Sequence, residues 1–599
     1  MTGQLEASAV QNEQCRLKRL AATDYRNAAG CALLVGILLL IIHAGSNEPF
    51  MDDFSYAKTA QQFAATGRFI FNGWAVETLG WQVLWGALFI KLFGFSFRIL
   101  QLSIIPLAMS CAYLSHQIFR KFGLTPGNSL LGTFTLTLSP LFLPVAASYM
   151  TDIPGLLVIL VCIRMCQRAA ESESARGAIL WLVAASVVNL IGGTARQIAW
   201  LGALIMVPST AWMLRRWRGI KTTGLLLFFL AYFTVLGVIH WFNGQPYSVP
   251  EPIYQGPIHG RMLLHAAVQT VKAAFCLMLM VIPLLAAWIP ASRNLGAKKR
   301  VLAFTIPLLT TAILLAAAVR GSDGVLAPWL KPLIEAQAFA IPILPGMSLH
   351  KSLLVMDAFL TLFVFFEISC CLGVLADHSE ATYKSFHSWK KSEIFWILGP
   401  FALAYIALLL PRGIYSWIQD RYILGLLPVA IVGLALLSQR IINARFSKIS
   451  ALTLVLFSAY SVAGARSFYL ASAALHRLLD RMERAGIPRM AIETTIGAGI
   501  ANDGWAQIEH GGLINDPRIV NPPHQYRVVT RDDALPGYCQ YWFTDYTPDI
   551  AAEYYIVPAP MACFAPTNIT PEYYHAWLPP FRRALYVEQR RPVQPLAAP

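Results

Sequence analysis

Long apolar runs alternate with short polar segments along most of this 599-residue chain. About 20 apolar residues are needed to cross the hydrocarbon core of a bilayer, and about thirteen runs approach that length. They lie near residues 28–46, 99–119, 128–147, 153–169, 177–193, 197–214, 222–241, 264–289, 301–319, 352–376, 393–411, 422–438 and 449–468. The pattern predicts an all-α polytopic membrane protein with about 13 transmembrane helices.

Residues 79–95 form a further apolar run, but three glycines and Lys91 interrupt it. If this run does not cross, nearly every later basic cluster falls on the same side as the basic N-terminus, as the positive-inside bias requires. If it does cross, all of those clusters move to the opposite side. We therefore predict an interfacial or re-entrant helix on the outer face of the membrane.

The same charge bias predicts the domain organisation. Residues 1–27 are expected to form a cytoplasmic N-terminal segment, and residues 28–470 a transmembrane module in which 47–98 make the first outer loop. Residues 471–599 contain no spanning run and are expected to form a small extracytoplasmic domain. Alternating stretches at 526–529 and 554–557 indicate strands there, so we predict an α+β fold.

Composition excludes a water-soluble enzyme. Hydrophobic residues make up 56% of the chain and charged residues 13%, with a mean hydropathy of +0.53, whereas an ordinary soluble domain is about a quarter charged. The net charge of +15 comes from basic clusters between apolar runs. Such clusters orient helices in a membrane, so the charge does not indicate nucleic-acid binding.

Most of the ten cysteines lie inside apolar runs, without the paired close spacing of a zinc site. We interpret these as small core residues. Cys539 and Cys563 differ, because they fall in the polar C-terminal region. They could form a disulfide if that region faces an oxidising compartment.

Acidic residues begin two of the predicted outer-face elements. Asp52 and Asp53 start an amphipathic helix in the first outer loop, and Asp152 lies in a short second outer loop around residues 148–152. Each could act only as a helix cap, because Asp is common at N-caps. Carboxylates that meet at one membrane face also suit a site that deprotonates a hydroxyl or holds a polar substrate.

Basic residues are scarce in the predicted outer loops. Arg196 lies in a tight turn between two spans, and Arg412 and Arg421 lie in the loop before the twelfth run. A phosphate group at the bilayer surface would explain them. Alternatively, these side chains extend to lipid headgroups, or Asp420 and Arg421 neutralise each other.

Several short motifs follow one another along the chain: Asp52-Asp53 with Tyr56, Gly67, Glu77-Thr78-Leu79-Gly80-Trp81, Leu92-Phe93-Gly94, Asp152-Ile153-Pro154 and Arg421-Tyr422 before Pro428. In this order they resemble the GT-C glycosyltransferase superfamily, and in particular the branch of bacterial aminoarabinose lipid A transferases and protein O-mannosyltransferases. The resemblance covers roughly residues 28–440 and implies a GT-C-like fold with juxtamembrane helices on the outer face.

The resemblance implies roles for these residues. Asp52 or Asp53 would be the catalytic base, Asp152 the second-loop acid, and Tyr56 and Glu77 substrate-binding residues. The phosphate of a lipid carrier would meet the residues Arg196, Arg421 and Tyr422. Many relatives place Lys-Pro after the acid that matches Glu77, where this chain has Thr78-Leu79.

The implied reaction moves a sugar, hexosyl or pentosyl, from a polyprenyl-phosphate donor to a hydroxyl of a lipid, glycan or protein acceptor. It would proceed with inversion on the extracytoplasmic face of the inner (plasma) membrane. No cofactor is required, although Asp53, Glu77 and Asp152 could hold a divalent metal ion. A transporter or flippase of lipid-linked glycans, and a structural subunit whose acids are only caps, remain the alternatives. The scarcity of charges within the spans favours the transferase.

Overall fold

The computed structural model describes residues 2–43, 47–250, 256–319, 351–389, 392–415, 418–443, 446–494, 499–506, 508–509, 553–560 and 564–590. Helices dominate these ranges. They are α1 (Thr2–His43), α2 (Asp53–Thr66), α3 (Gly80–Phe93), α4 (Phe97–Lys121), α5 (Pro126–Thr137), α6 (Phe142–Ala146), α7 (Asp152–Glu171), α8 (Ala175–Gly192), α9 (Val207–Met213), α10 (Ile220–Asn243), α11 (Gly260–Met280), α12 (Ile282–Leu285), α13 (Trp288–Ser292), α14 (Ala297–Val319), α15 (Lys351–Asp377), α16 (Ser379–Trp389), α17 (Glu393–Tyr415), α18 (Leu427–Ile441), α19 (Lys448–Arg484) and α20 (Gly499–Ala506).

Eleven helices in the described ranges are long and apolar enough to cross a membrane. Several of them expose large apolar side chains along one face, as α10 does with Leu226, Leu230 and Phe233. On helices of spanning length, such surfaces are typical of contact with lipid. The chain is therefore a multi-pass membrane protein with a mostly helical fold, which confirms the predicted class.

Two of the thirteen predicted spans, 128–147 and 197–214, contain no described helix of spanning length, so that number is not confirmed. In the run 128–147, α5 ends at Thr137 and α6 begins at Phe142, because the intervening Pro140 lacks the N–H that a helix needs. In the run 197–214, a 3₁₀-helix at Gln197–Trp200 and a π-helix at Gly202–Met206 precede α9. Pro208 in the first turn of α9 removes another donor there.

Helix α3 covers the ambiguous run 79–95. Its 14 residues extend about 21 Å at 1.5 Å per residue, which is less than the hydrocarbon thickness of about 30 Å. Gly94, with φ of 83°, ends it in a conformation that suits glycine. This length agrees with the expectation that the run does not cross.

A small sheet lies in the C-terminal part of the chain. Its strands are β1 (Ile492–Thr494), β2 (Tyr554–Val557), β3 (Phe564–Pro566), β4 (Glu572–His575) and β5 (Arg582–Arg590). The order is β1-β2-β5-β3, with β4 also paired to β5; β1 and β2 are parallel and the other pairs antiparallel. The strand predicted at 554–557 is β2, whereas 526–529, Cys539 and Cys563 lie outside the described residues.

The sheet is carried by the far end of α19, which has 37 residues and continues well past the predicted boundary at residue 470. Arg477 and Arg481 near its end form ion pairs with Glu572 of β4, at 2.8 and 3.1 Å. Helix α20 of this region packs on α2, where Gly504 lies directly against the ring of Phe54. A side chain at residue 504 would collide with that ring.

Candidate active site

The candidate site lies at one side of the membrane region, the side at which α1 ends and α7 begins. We call this side the site face. Residues 47–52 lead into α2, in which Asp52 is the N-cap residue and Asp53 the first residue. The Phe50 ring stacks on Tyr469 of α19 at 5.3 Å and meets Phe468 edge-on at 4.8 Å. These contacts fix the position of the two adjacent aspartates relative to the bundle.

Asp53 points inward and is fully buried. Its Oδ1 accepts a hydrogen bond from Phe50 N at 2.5 Å, and its Oδ2 accepts from Gln101 Nε2 at 2.9 Å and Tyr149 N at 3.3 Å. Gln101 also accepts from Nε2 of His43 at 2.7 Å. Asp53 therefore joins the first loop to α4 and to the segment that precedes α7.

Burial raises the pKa of Asp53 to about 7, although three N–H donors favour its ionised form and lower the pKa. In the unfolded chain this carboxyl has a pKa of about 4. Between these values the folded protein holds a proton that the unfolded chain releases. The stability from this group is therefore complete below about pH 4 and is lost as pH rises through 7.

We expect the thermal unfolding midpoint to fall as pH rises through this window, and to fall less steeply in Asp53→Asn, which does not titrate. Unfolding of the detergent-solubilised full chain across a pH series measures both slopes. Asp480→Asn, which changes a half-exposed aspartate on α19, is the control and should keep the wild-type slope. Equal slopes in wild type and Asp53→Asn would contradict the raised pKa of Asp53.

Asp52 points the other way, into the cluster of arginines. Its Oδ2 lies 2.7 Å from a terminal nitrogen of Arg421, and its Oδ1 accepts a hydrogen bond from Trp74 Nε1 at 2.9 Å. Its side chain is 21% exposed, whereas that of Arg421 is 4% exposed. Asp52 makes no side-chain cap hydrogen bond to α2, so capping does not explain its position.

Asp152 is shared by two arginines. Its Oδ1 lies 3.1 Å from Arg196 and its Oδ2 lies 3.5 Å from Arg421, while its side chain is almost completely buried. Arg196 also donates to Thr151 Oγ1 at 2.8 Å and lies 3.7 Å from Glu77. The second-loop acid and both predicted arginines therefore form one connected group.

Tyr56 and Glu77 complete the acidic edge of this group. The Tyr56 hydroxyl donates to Glu77 Oε2 at 2.8 Å, and burial is the main cause that raises the pKa of Tyr56 well above its ordinary value. Tyr56 is therefore a neutral donor. It fixes one carboxylate oxygen and leaves the other directed at Arg196.

Three guanidinium groups surround the ring of Tyr422. The ring centroid lies 5.4 Å from Arg196, 5.5 Å from Arg412 and 5.8 Å from Arg421. The Tyr422 hydroxyl also meets Arg412 at 3.4 Å. The aromatic face stabilises the nearby cations, so positive charge is concentrated at one point of the site face.

The turn that carries Arg196 is held by the segment Thr78–Trp81. Thr194 O accepts from Gly80 N at 3.1 Å and from the Thr78 hydroxyl at 2.5 Å, and Thr194 Oγ1 accepts from Trp81 N at 3.1 Å. Thr78 therefore helps to fix the turn that presents Arg196, and adds no cation of its own.

The eight predicted site residues thus divide into two environments. Seven contribute to the arginine–carboxylate cluster: Asp52, Tyr56, Glu77, Asp152, Arg196, Arg421 and Tyr422. Asp53 instead lies in the buried network behind them. Among the described residues, no three His, Cys, Asp or Glu side chains are grouped so that they could hold a metal ion, and this includes the trio Asp53, Glu77 and Asp152.

Sequence reasoning did not identify Trp74 and Gln101. Gln101 is an amide inside an apolar run, which is a signal that marks buried polar networks. Trp74 gives no such signal, because tryptophan is common at membrane interfaces. Only the folded chain shows that its N–H meets Asp52.

No family model matches the chain, and no curated protein matches it. Among solved structures, it is similar to ArnT from Cupriavidus metallidurans bound to undecaprenyl phosphate, with 14% identity, coverage of 94% of this chain and 97% of that chain, and a TM-score of 0.36. The apo form of ArnT gives 12% identity, 95% and 98% coverage, and a TM-score of 0.35.

The S. cerevisiae protein O-mannosyltransferase Pmt1-Pmt2 complex bound to the sugar donor is also similar, with 14% identity and a TM-score of 0.30. That match covers 36% of this chain and 32% of the other, so it spans about a third of each. Both proteins are GT-C glycosyltransferases, the superfamily that the sequence motifs resemble.

Proposed function

We propose that this protein is a membrane glycosyltransferase that moves a sugar from a polyprenyl-phosphate donor to an acceptor hydroxyl. The reaction would take place at the site face, which we assign to the extracytoplasmic side of the inner (plasma) membrane. The proposal rests on one observation: Asp52, a partly exposed carboxylate, lies beside the buried guanidinium of Arg421 and close to that of Arg196, at one membrane surface. A base next to a phosphate-binding site is what this transfer requires.

Asp52 is the base in this mechanism. The acceptor hydroxyl attacks the anomeric carbon while Asp52 takes its proton, the bond from that carbon to the phosphate oxygen breaks, and the phosphate leaves with the electron pair. A single displacement of this kind inverts the anomeric centre. Asp53 is unsuitable as the base, because it is fully buried and both of its oxygens already accept hydrogen bonds.

Arg196 and Arg421 stabilise the departing phosphate. Their guanidinium groups are planar forks that suit two oxygens at once, and they are fixed in advance by Asp152, Glu77 and Asp52. Fixed donors that face developing charge are usually the largest single contribution to catalysis. A phosphate is already a good leaving group, so we propose that no metal cofactor is required and that transfer continues in EDTA.

The proposal is tested in proteoliposomes that hold the full-length protein and undecaprenyl-phosphate sugars with labelled hexoses or pentoses. Lipid, glycan and protein fractions of cell envelopes serve as acceptors. We expect label to leave the donor lipid and appear in one fraction, with inverted anomeric configuration. If the protein moves the intact donor between leaflets and consumes none of it, it is a flippase and the proposal is wrong.

Trp74 should position the base. Its N–H bond to Asp52 is a hydrogen bond to a charged group, worth about 1.5–3 kcal/mol, so Trp74→Phe should lower kcat by roughly tenfold or more with little change in KM for the donor. Phenylalanine keeps the packing of this ring against Phe54, whose centroid lies 5.5 Å away.

Trp85→Phe is the matched control, because it removes an indole donor that binds the Ser103 carbonyl, away from Asp52. It should keep wild-type kcat. If Trp74→Phe transfers sugar at the wild-type rate, or raises KM alone, Trp74 does not orient the base.

A further inference from the structure

The turn between β4 and β5 is a rigid element with an unusual surface. Arg583, which is almost fully buried, donates to the carbonyl oxygens of Leu578 at 3.0 Å, Pro579 at 3.2 Å and Pro580 at 3.0 Å. One guanidinium group thus holds three consecutive carbonyl groups. Such a turn keeps its shape without support from a partner.

Large aromatic side chains project from this turn and from β4 beside it. Tyr573 is 52% exposed, Trp577 47% and Phe581 60%; we call these three residues the aromatic turn. Three exposed aromatic residues on one small element form an apolar patch of the kind that marks an interaction surface. The guanidinium of Arg582 lies 4.9 Å from the centre of the Tyr573 ring, so a positive charge borders the patch.

The position of the turn relative to the membrane follows from its contact with α19. Ser467 Oγ accepts hydrogen bonds from Trp577 N at 2.9 Å and Leu578 N at 3.2 Å. Ser467 lies about 28 Å along the helix from Lys448, at 1.5 Å per residue, and this matches the thickness of a hydrocarbon core. Because Lys448 begins the helix, Ser467 lies at the opposite surface of the membrane.

A second membrane span ends at the same depth in the bilayer. Arg466 donates to the carbonyl oxygen of Ile42 at 3.0 Å, in the last turn of the spanning segment Ala22–His43. Two apolar segments therefore end side by side at this point, with a charged residue between them. The aromatic turn is attached at the boundary between lipid and water on the site face.

We propose that the aromatic turn inserts into the headgroup region of the membrane on the site face, with its aromatic rings among the upper acyl chains and Arg582 at the lipid phosphates. Tryptophan and tyrosine are enriched at this depth because their rings are amphipathic, and arginine near anionic headgroups adds electrostatic attraction. The partner is the lipid surface itself. This inference does not depend on the proposed transferase activity.

Spin labels on the full-length protein in phospholipid nanodiscs test the proposal. Phe581→Cys places a nitroxide on the aromatic turn. Asp480→Cys, at a half-exposed position of α19, places one about 20 Å beyond Ser467 along the same helix. The signal of the labelled unsubstituted chain is subtracted, since the chain has ten cysteines of its own.

We expect the label at residue 581 to collide with oxygen, which partitions into lipid, more readily than with a water-soluble nickel complex. The label at residue 480 should show the reverse. Nanodiscs with one chain each and no sugar ligand leave lipid as the only occupant. If both labels meet the nickel complex equally, the turn faces water and the proposal is overturned; its surface would then suit an acceptor or a second copy.

Discussion

Replacing Asp52 with asparagine is expected to lower kcat for sugar transfer by about 10²- to 10⁴-fold, the usual contribution of a general base. Asparagine has the same shape but cannot take the acceptor proton. In the proposed mechanism Arg196 and Arg421 bind the donor phosphate and Asp152 still pairs with both, so KM for the donor should change less than kcat. Steady-state transfer from a labelled donor in proteoliposomes, with protein amounts matched, measures both constants.

A nucleophile that carries no proton separates a base from a residue with a structural role. Azide is an anion, so it can attack the anomeric carbon without deprotonation, forming a carbon–nitrogen bond as the carbon–oxygen bond to phosphate breaks. Asp52→Asn should therefore transfer sugar to azide at a rate close to that of the wild type with azide. The product would be an inverted glycosyl azide.

Loss of azide transfer together with acceptor transfer would show that Asp52 maintains the shape of the site and is not its base. Asp480→Asn is the control for a remote aspartate and should retain both reactions. Because Arg421 loses a charged partner in Asp52→Asn, the thermal unfolding midpoint is measured alongside. The azide comparison remains valid at any midpoint above the assay temperature.

Much of the site's composition could be predicted from the sequence. The positive-inside bias orients the apolar runs, and this orientation places Asp52, Asp152, Arg196 and Arg421 on one face of the membrane. The structure brings these four side chains into one chain of ion pairs. Topology alone confines the predicted outer loops to a small area at one surface. Charged residues in these loops are therefore close enough to pair with one another.

The pairing within the site could not be predicted. Asp52 and Arg421 are 369 positions apart, and no local pattern connects them. The opposite orientations of Asp52 and Asp53 also arise from tertiary contacts. Gln101 and Tyr149 donate hydrogen bonds to Asp53, whereas Arg421 pairs with Asp52. Sequence reasoning consequently left the choice of base open.

The fold, like the site, could be predicted from the sequence only in part. Hydropathy predicted thirteen spans, and eleven of them match described helices long enough to cross a membrane. It did not detect the breaks in 128–147 and 197–214, because side-chain hydrophobicity does not report missing N–H donors. Pro140 and Pro208 were the available signals. The extension of α19 to Arg484 was missed for a different reason. Beyond the membrane the helix is amphipathic, with Leu475 and Leu479 buried, and so it lacks a continuous apolar run.

Arg421 should be the second position with a large effect. Arg421→Lys keeps the positive charge, but a compact ammonium cannot reproduce a fork that reaches Asp52 and Asp152 together. Removal of one preorganised donor from developing charge commonly lowers kcat by about 10²- to 10³-fold. We expect a loss of that size in Arg421→Lys, and weaker inhibition by free undecaprenyl phosphate, which has the chemistry of the departing group.

Inhibition by the free lipid phosphate tests the role directly, because it measures binding in the absence of transfer. Undecaprenol, which lacks the phosphate, should bind wild type and Arg421→Lys equally. Arg477→Lys is the matched control, since Arg477 pairs with a carboxylate on the C-terminal sheet at 2.8 Å and should retain wild-type transfer and inhibition. If Arg421→Lys loses transfer while its inhibition by undecaprenyl phosphate is unchanged, Arg421 acts on Asp52 alone and the phosphate is held elsewhere.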